Sequence, residues 1–338
     1  MRMPIGADLV LHERPDASEI VLDGRRLGQV IEEAARRYAT PLAVPLMNLR
    51  LEKADLLRIL GVPEAEADAF RFHAPPSEKW LERARSAAGA GFAALNQAHF
   101  DSIRYIAQET GRMPIGMAIG PFSLSTKLMA DPITPLALAG RGLTAGDDPG
   151  VDAAERCLAL AEMAVHRSLR AQIASGAKAV VVCEPAAGRF YISPRQMEAG
   201  SDVFERFVMQ PALRLKRLLE DAGTELIFHD CGELTVGMVR QFGERLHPVM
   251  LSLGSSRKLW EGAAVVPKDV VLYGNPPTRN FYSDAAAPLD AVAGMAEGLI
   301  ARMDAAGHPF ILGSECDVLH VPEAAETIRR KVERMLAR

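Results

Sequence analysis

Three residues whose side chains bind soft metal ions follow two apolar segments of the chain. His229 and Cys231 come directly after the apolar run 224–228, and the lone Cys316 comes just after a second apolar run, 309–313. Side chains at positions i and i+2 of an extended segment point to the same side, so His229 and Cys231 are expected to face one point. An imidazole and two thiolates favour zinc over magnesium or calcium. The sequence therefore predicts a zinc site.

The number of ligands in this pattern bears on what the metal would do. A single His or Cys at the end of a strand is usually a packed core residue, so the prediction rests on the paired spacing and on the isolated third cysteine. Structural zinc sites fill all four positions with protein ligands, whereas catalytic sites leave one position for water or substrate. Only three ligands are evident here, which favours an enzyme over a zinc-stapled scaffold.

Composition excludes several classes of protein. The chain has 338 residues, of which 49% are apolar and 24% are charged, and its net charge is −4. It has no basic run for nucleic acid and no stretch of about 18 apolar residues for a membrane span. Residues 1–14 lack the apolar core of a signal peptide. Four cysteines do not make a disulfide framework, so we expect a reducing cytoplasm.

Short apolar runs alternate with segments of helical periodicity along the chain. Near-continuous apolar runs of this length are typical of strands that are buried on both faces of a parallel sheet. The predicted strands are 42–47, 70–73 (the weakest), 114–120, 178–183, 224–229, 248–253, 270–274 and 309–313. The predicted helical segments are 24–38, 76–110 (one helix or two), 149–175, 193–222, 232–246, 284–307 and 322–336.

This alternation favours an α/β fold of the (β/α)8 TIM-barrel type. A doubly wound open sheet is the main alternative, but no G-x-G-x-x-G follows the first predicted strand. Residues 1–40 are interpreted as an N-terminal extension and residues 41–338 as the barrel domain. The segment 120–150 is rich in Gly, Asp and Pro, and we expect a long loop there that acts as an active-site lid.

Further candidate site residues stand where the predicted strands end, which is where barrels place their catalytic groups. Glu184 follows the fourth predicted strand and is a candidate fourth ligand, general base or substrate clamp, although capping a loop fits it equally well. Asn275 ends the seventh predicted strand, and its amide is a candidate for orienting substrate. Gly120, Pro121 and Phe122 end the third predicted strand and are expected to line the binding pocket.

The remaining cysteines and charged residues receive less specific interpretations. Cys157 falls in a helical apolar pattern and Cys183 ends the fourth predicted strand, and we favour a core position for both. Glu315 and Asp317 flank Cys316 and either hydrogen-bond a ligand or are solvated. Three cations that could bind an anion are interpreted as surface residues: Lys127, Arg189 and Arg279.

Taken in order, these motifs resemble those of a known family. They are Gly-Pro-Phe-Ser-Leu (120–124), Glu-Pro-Ala-Ala (184–187), Ile-Ser-Pro (192–194), His-Asp-Cys-Gly (229–232), Gly-Asn-Pro (274–276) and Cys316. Over about residues 75–330 the chain resembles the uroporphyrinogen decarboxylase superfamily. More narrowly, it is similar to the zinc methyltransferases of the methylcobalamin:coenzyme M type. The spacing of the metal motif is also similar to that of cobalamin-independent methionine synthase.

The resemblance implies a ligand set, a reaction and a partner. His229, Cys231 and Cys316 would hold Zn²⁺, and a methyl group would move between methylcobalamin and a small thiol. The chain has no Asp-x-His-x-x-Gly cobalamin signature, so the corrinoid would be carried by a separate protein. The same site also suits the opposite direction, in which a methoxylated substrate gives its methyl group to the corrinoid protein (O-demethylation).

The chain departs from the family in two places. Residues 44–50 lack the Gln-Ala-Gly-Arg-Tyr motif of the true decarboxylases, which disfavours porphyrinogen decarboxylation. Residues 251–256 lack the acidic ligand of many of the methyltransferases, so the fourth position is open, is held by water or is filled by another residue such as Glu184. A zinc hydrolase with Glu184 as base, which two cysteine ligands argue against, and a non-enzymatic barrel remain as alternatives.

Overall fold

The computed structural model describes residues 6–336, and within them seven strands form one parallel sheet. The strands lie across the sheet in the order of the chain, and each is paired in parallel with the next. Their bounds are β1 Leu42–Ala43, β2 Met113–Ile119, β3 Ala179–Cys183, β4 Glu225–Asp230, β5 Met250–Leu253, β6 Val271–Gly274 and β7 Phe310–Leu312.

Sixteen α-helices accompany the strands within residues 6–336, and none of them combines the length and the apolar character that crossing a membrane requires. Two further segments, Glu205–Met209 and Phe242–Leu246, are π-helical. The α-helices are α1 Asp8–Leu11, α2 Ala17–Ile20, α3 Gly24–Arg37, α4 Leu51–Leu60, α5 Glu64–Ala67, α6 Glu78–Ser86, α7 Ala94–Glu109, α8 Pro121–Leu128, α9 Ile133–Ala139, α10 Pro149–Ala174, α11 Pro194–Glu198, α12 Gln210–Glu220, α13 Val236–Gln241, α14 Leu259–Gly262, α15 Leu289–Ala306 and α16 Ala325–Leu336.

The sheet curls around an interior of its own, which confirms the predicted α/β barrel type. Strands β1 and β7 are the two edges of the sheet. Leu42 of β1 and Ile311 of β7 nevertheless belong to one buried cluster, which is made almost entirely of strand residues. Alternate strand residues point outward and pack with the helices in a second, larger cluster. On β3, for example, Val181 lies inside while Val180 and Val182 lie in the outer layer. This alternation decides which strand-end side chains reach the site.

The strand predicted at 70–73 is wrong. This segment makes only an isolated bridge between Phe72 and Met129, and β1 pairs directly with β2. Phe70 and Phe72 instead pack against Trp80 of α6, with ring centroids 6.3 and 5.6 Å from the indole. The alternating aromatic residues therefore reflect an aromatic cluster beside the barrel, which the sequence pattern cannot distinguish from a half-buried strand.

The long lid loop predicted at 120–150 is also wrong, because most of this segment is helical. Gly120 occupies the N-cap position of α8 and Pro121 its first turn, where proline is favoured. Phe122 and Leu124 are then fully buried in the outer core. The Gly and Pro residues that indicated a loop thus begin a buried helix, and within this segment only the stretches 129–132 and 140–148, on either side of α9, remain irregular.

Most of the predicted helical segments are confirmed with small changes of bounds. The segment 76–110 is divided into α6 and α7. The segment 193–222 begins as predicted, with Ser193 and Pro194 at the start of α11, but Gly200 has a φ of +87° and the chain leaves the helix there. The helix resumes in the π-helical segment before α12. Glycine is favoured at such left-handed positions, so an interior glycine divided one predicted helix into two.

The N-terminal helices α1–α3 pack on the barrel and share a buried cluster with Ile106 of α7. Gly28 allows α3 to approach α7, because a Cβ at this position would lie 2.5 Å from the Tyr105 ring. Asp8 of α1 accepts a hydrogen bond of 2.6 Å from the backbone N–H of His320, which follows β7. The division into residues 1–40 and 41–338 stays a prediction, and its first five and last two residues lie outside the described part.

Candidate metal centre

The three predicted ligands meet at the carboxyl ends of β4 and β7. His229 belongs to β4, Cys231 follows that strand directly, and Cys316 lies in the loop after β7. One ligand atom of each lies within 4.8 Å of the other two, and no other such group of His, Cys, Asp or Glu occurs in residues 6–336. Zinc binds sulfur at about 2.3 Å and imidazole nitrogen at about 2.0 Å, so one ion can span these separations.

The His229 imidazole is held in an orientation that suits a metal ligand. The ring is buried, and its Nδ1 lies 2.8 Å from Oγ of Ser252, the register partner of His229 on β5. An Nδ1–H that donates to this hydroxyl leaves a lone pair on Nε2. That nitrogen is buried and has no hydrogen-bond partner among the described residues. Buried polar atoms are normally paired, so this unpaired nitrogen fits a metal ligand.

We expect Ser252→Ala to lower the affinity for zinc by about 10- to 100-fold, because partners that orient a ligating histidine contribute on this scale. Competition titration with a chromophoric chelator measures the change. Ser252→Thr keeps the hydroxyl and should retain most of the affinity, and Ser86→Ala, a change on exposed α6, is the unrelated control. Unchanged affinity in Ser252→Ala would show that this hydroxyl does not orient His229.

The two thiols of Cys231 and Cys316 act as a pair, and one of them loses its proton readily. The hydrogen bond from Cys231, together with the nearby His229, lowers the pKa of Cys316 below its usual range against the effect of burial. The pKa of Cys231 is raised, first by the same hydrogen bond and then by burial. The pair therefore gives up one proton readily and retains the other. A soft cation that binds both sulfurs replaces both protons, which is the usual coupling of metal binding to deprotonation.

Close backbone contacts hold Cys231 in place. A Cβ at Gly254, after β5, would lie 2.5 Å from the Cys231 carbonyl oxygen, so only glycine fits there. Asp230 is directed away from the ligands, as the alternation predicts, and its Oδ1 accepts a 2.8 Å hydrogen bond from Gly232 N–H. The Asn275 amide donates to the Gly254 carbonyl at 2.9 Å. Asn275 thus steadies the segment that lies against a metal ligand.

Glu184 points away from the barrel mouth, in contrast to the position expected for it. Cys183 takes the inward direction at the end of β3, so the next side chain turns outward. The buried Glu184 carboxylate accepts hydrogen bonds from the N–H groups of Phe122 (3.0 Å) and Ser123 (2.7 Å) at the start of α8. Burial raises the pKa of Glu184 to about 7 against these donors. Gly120 makes room, because a Cβ there would lie 2.0 Å from the carboxylate carbon.

The two acidic neighbours of Cys316 have different surroundings. Glu315 accepts hydrogen bonds of 2.9 Å from the backbone N–H groups of Ser255 and Thr278. It therefore ties together the loops after β5, β6 and β7 and bonds no ligand side chain. Asp317 is buried, and burial raises its pKa to about 8. Glu315 therefore hydrogen-bonds no metal ligand; it is partly exposed and braces the loops that surround the site.

A cavity of about 670 Å³ adjoins the candidate metal centre, with Cys316 in its wall. This volume is typical of sites for small molecules. The other wall residues come from α1, α2, the loop after β1, α8 and the loop after β7, and include Asp8, His12, Asn48, Arg50, Lys127 and Leu319. The N-terminal extension thus contributes to the cavity and does not only cap the barrel.

The structure separates the three cations that were interpreted as surface residues. Arg189 is exposed and lies 3.7 Å from Glu233, and Arg279 is also exposed, so both interpretations are confirmed. Lys127 is half-buried and lies in the wall of the cavity beside Cys316. Its interpretation as a surface cation was wrong, because the segment that carries it is a packed helix and not a loop.

The two other cysteines occupy core positions, as predicted. Cys157 lies on α10 in the outer cluster, and burial raises its pKa to about 12. Cys183 is fully buried inside the sheet, and burial raises its pKa well above the usual range. All four cysteines are free thiols, and only Cys231 and Cys316 are partly accessible.

Comparison with known proteins shows which structures and which family the chain is similar to. No curated protein sequence matches the chain. Among solved structures, a methyltransferase from Methanosarcina mazei superposes with a TM-score of 0.65 at 13% identity, over 99% of this chain and 91% of that chain. A 3-keto-D-glucoside 4-epimerase from E. coli in its apo form gives a TM-score of 0.41 at 15% identity, over 80% of this chain and 98% of that chain. Identities this low concern the fold alone. The sequence profile of the uroporphyrinogen decarboxylase (URO-D) family matches residues 83–335, so the chain belongs to the URO-D family.

Proposed function

We propose that this member of the URO-D family is a zinc-dependent methyltransferase. It moves a methyl group between a small thiol and methylcobalamin carried by a separate corrinoid protein in the cytoplasm. The observation that carries this proposal is the meeting of His229, Cys231 and Cys316 within 4.8 Å beside a cavity. Family membership supports an enzyme, and the shared fold with a methyltransferase is compatible with this reaction.

The three ligands determine what the site can do. When bound, zinc supplies Lewis acidity that deprotonates a coordinated thiol, whose free pKa is about 8.5. Three protein ligands leave a coordination position for substrate, as in catalytic sites. Because both site cysteines serve as ligands, the methyl group moves to or from the substrate and not through a protein thiol. Met47, whose sulfur lies 3.7 Å from that of Cys316, borders the site with an apolar side chain.

The roles predicted for Glu184 and Asn275 stay predictions, and their contacts indicate how they would act. Glu184 anchors the start of α8, and Asn275 holds the segment that packs on Cys231. We propose that both are positioning residues. Gly120, Pro121 and Phe122 begin the same helix and are buried. Their predicted part in cofactor binding would therefore operate through α8, which presents Lys127 to the cavity.

A hydrolase is less compatible with these contacts. Such an enzyme needs a general base beside the metal, and Glu184 was the candidate. Both oxygens of its carboxylate are occupied by N–H donors of α8. Glu184 is also not among the residues whose ligand atoms meet at the site. The two cysteine ligands also disfavour a hydrolase, since sulfur ligands make a bound metal a weaker electrophile. The geometry therefore favours transfer to or from a soft substrate atom over hydrolysis.

An assay with methylcobalamin tests the proposal. Zinc-loaded protein is incubated with methylcobalamin and a panel of small thiols, the loss of methylcobalamin is followed by absorbance, and the methylated thiol is identified by mass spectrometry. We expect loss that depends on thiol and on metal, and that disappears in Cys316→Ala but persists in Cys157→Ala. Methylation of cob(I)alamin only by methoxylated compounds would assign the opposite direction. Absence of both activities, with free and with protein-bound corrinoid, would overturn the proposal.

A further inference from the structure

The two cysteines of the candidate metal centre lie close enough to react with each other. The sulfur atoms of Cys231 and Cys316 lie within 4.8 Å of one another, and the Cys231 thiol donates a hydrogen bond to Cys316. The sulfur atoms of a disulfide are about 2.0 Å apart, so forming the bond requires an approach of less than about 3 Å. A movement of this size lies within the range of side-chain rotation. The two thiols are therefore placed for a disulfide.

One member of the pair is held by close packing, and the other stands in a loop. Cys231 follows β4 directly, and its backbone packs against Gly254, where a Cβ would lie 2.8 Å from the Cys231 Cα. Cys316 lies in the irregular segment 313–321, between β7 and the helical turn that precedes α16. Loops adjust their backbone more easily than the elements they connect. We therefore expect Cys316 to make most of the movement.

Accessibility separates these two cysteines from the other two. Cys231 and Cys316 are partly accessible, whereas Cys157 and Cys183 are buried. Cys316 also lies in the wall of the cavity of about 670 Å³, so a small oxidant such as hydrogen peroxide can reach it from that side. Buried thiols are inert towards such reagents. Oxidation of the chain should therefore begin at this pair.

We propose that Cys231 and Cys316 form a reversible disulfide on oxidation and that this bond switches the metal centre off. Hydrogen peroxide oxidises the Cys316 thiol to a sulfenic acid and is reduced to water. The Cys231 sulfur then attacks the Cys316 sulfur, the S–O bond breaks, and the hydroxyl group leaves as a second water with the proton of the Cys231 thiol. This inference rests on the proposed function, since it names a regulation of the same site.

The disulfide would remove two of the three metal ligands at once. A metal ligand must be a thiolate, and a disulfide offers none, so only His229 of the three ligands would remain. We therefore expect zinc to leave when the bond forms. Thiol–disulfide exchange with a reduced dithiol restores both thiols and, with them, the affinity for zinc. Disulfides of reducing compartments are usually transient and sense redox conditions, which agrees with such a switch.

A third thiol near the site provides the alternative pairing. Cys183 is the register partner of His229 on the neighbouring strand β3, and its charge would interact with that of Cys316. The Cys183 side chain is fully buried inside the sheet, however, and packs in the cluster of inward strand residues. A bond between Cys183 and Cys316 would require this side chain to leave the core. We therefore expect oxidation to join Cys231 and Cys316.

Thiol counting on the zinc-free full chain tests the disulfide independently of the metal. The reduced protein has four free thiols. After treatment with an equimolar amount of hydrogen peroxide and denaturation, we expect two free thiols and an intact mass lower by two hydrogen atoms. A non-reduced tryptic digest should contain the peptide of Cys231 joined to that of Cys316, and dithiothreitol should restore all four thiols. Four thiols remaining, oxygen atoms gained in place of the disulfide, or a bond to Cys183 would overturn the proposal.

Variants locate the bond. Cys231→Ser and Cys316→Ser should each abolish the loss of two hydrogen atoms, because each removes one partner. Cys157→Ala and Cys183→Ala should each still form the disulfide. Circular dichroism confirms that each variant is folded. An internal disulfide that forms in Cys231→Ser, or one that is lost in Cys183→Ala, would overturn the assignment to Cys231 and Cys316.

Release of zinc separates this proposal from the proposed function. Zinc-loaded protein is oxidised with hydrogen peroxide beside a chromophoric chelator, and we expect one zinc ion to be released for each disulfide formed and to be bound again after reduction. Zinc that is retained while the disulfide forms would overturn the switch. A disulfide that releases zinc from a protein without methyl transfer activity in its reduced state would leave the switch standing and reject the proposed reaction. Thiol-dependent methyl transfer by a protein that forms no such disulfide would overturn the switch alone.

Discussion

Cys231→Ala is expected to lower zinc affinity by more than about 100-fold, because loss of a ligand should exceed the 10- to 100-fold effect of losing an outer-shell partner. Cys231 supplies one of only three ligand atoms that meet within 4.8 Å. Without it, His229 and Cys316 would hold the metal alone. Zinc content after dialysis and competition titration with a chelator measure the loss. Cys316→Ala should have an effect of the same size, since each thiol contributes one ligand.

The matched control is Cys157→Ala, which removes a buried thiol from α10. This variant should keep one zinc per chain at the affinity of the unmodified protein. It should lose some stability, because it leaves a small cavity in the core. Zinc retained at unchanged affinity in Cys231→Ala, or lost equally in Cys157→Ala, would contradict the assignment of the ligands.

Arg167→Met is expected to lower the free energy of unfolding by about 3–5 kcal/mol, the usual result of breaking a buried ion pair by removing one partner. Arg167 of α10 pairs with Asp55 of α4, and both side chains are almost fully buried. Its guanidinium also lies 3.5 Å from the centre of the Phe92 ring and donates to the Ala87 carbonyl at 3.2 Å. Arg167 therefore joins α10, α4 and the segment before α7, and its removal leaves Asp55 buried with less compensation.

Urea denaturation of the zinc-free protein, followed by circular dichroism, measures this change without a contribution from metal binding. Arg58, which lies 2.8 Å from Asp55, remains in the variant. The loss in the free energy of unfolding should therefore be near the lower end of the expected range. Arg170→Met, on the same helix but exposed, is the matched control and should change stability by less than about 0.5 kcal/mol. A loss below 1 kcal/mol in Arg167→Met, similar to that of the control, would show that the buried pair is not a major source of stability.

Periodicity predicted the strands of the barrel well where the apolar runs are continuous. The runs at 114–120, 178–183 and 224–229 became β2, β3 and β4 with shifts of about one residue. The run at 70–73 failed, because Phe70 and Phe72 satisfy the pattern of a strand while packing on Trp80 outside the sheet. The helix α8 was missed for a related reason. A Gly-Pro pair indicates a loop and a helix start equally well, and only the burial of the following side chains separates the two.

The ligands of the candidate site could be predicted from the sequence, but the residues that surround them could not. The i, i+2 spacing of His229 and Cys231 is local, so it could be found from the chain alone. Ser252 could not, since its contact with His229 depends on the register between β4 and β5. The direction of Glu184 was accessible in principle, because alternation from an inward Cys183 places the next side chain outside. The cavity position of Lys127 required knowing that α8 is a helix.

X-ray absorption at the zinc edge tests the central claim most directly, because it counts the ligands of the bound ion. Zinc-loaded protein should show two sulfur atoms at about 2.3 Å and at least one nitrogen at about 2.0–2.1 Å, with a further light atom from solvent. Addition of a thiol substrate should replace that light atom with a third sulfur, while Cys231→Ala should lose one sulfur. A shell without sulfur, or one with four protein ligands that no thiol alters, would contradict an open metal site built from His229, Cys231 and Cys316.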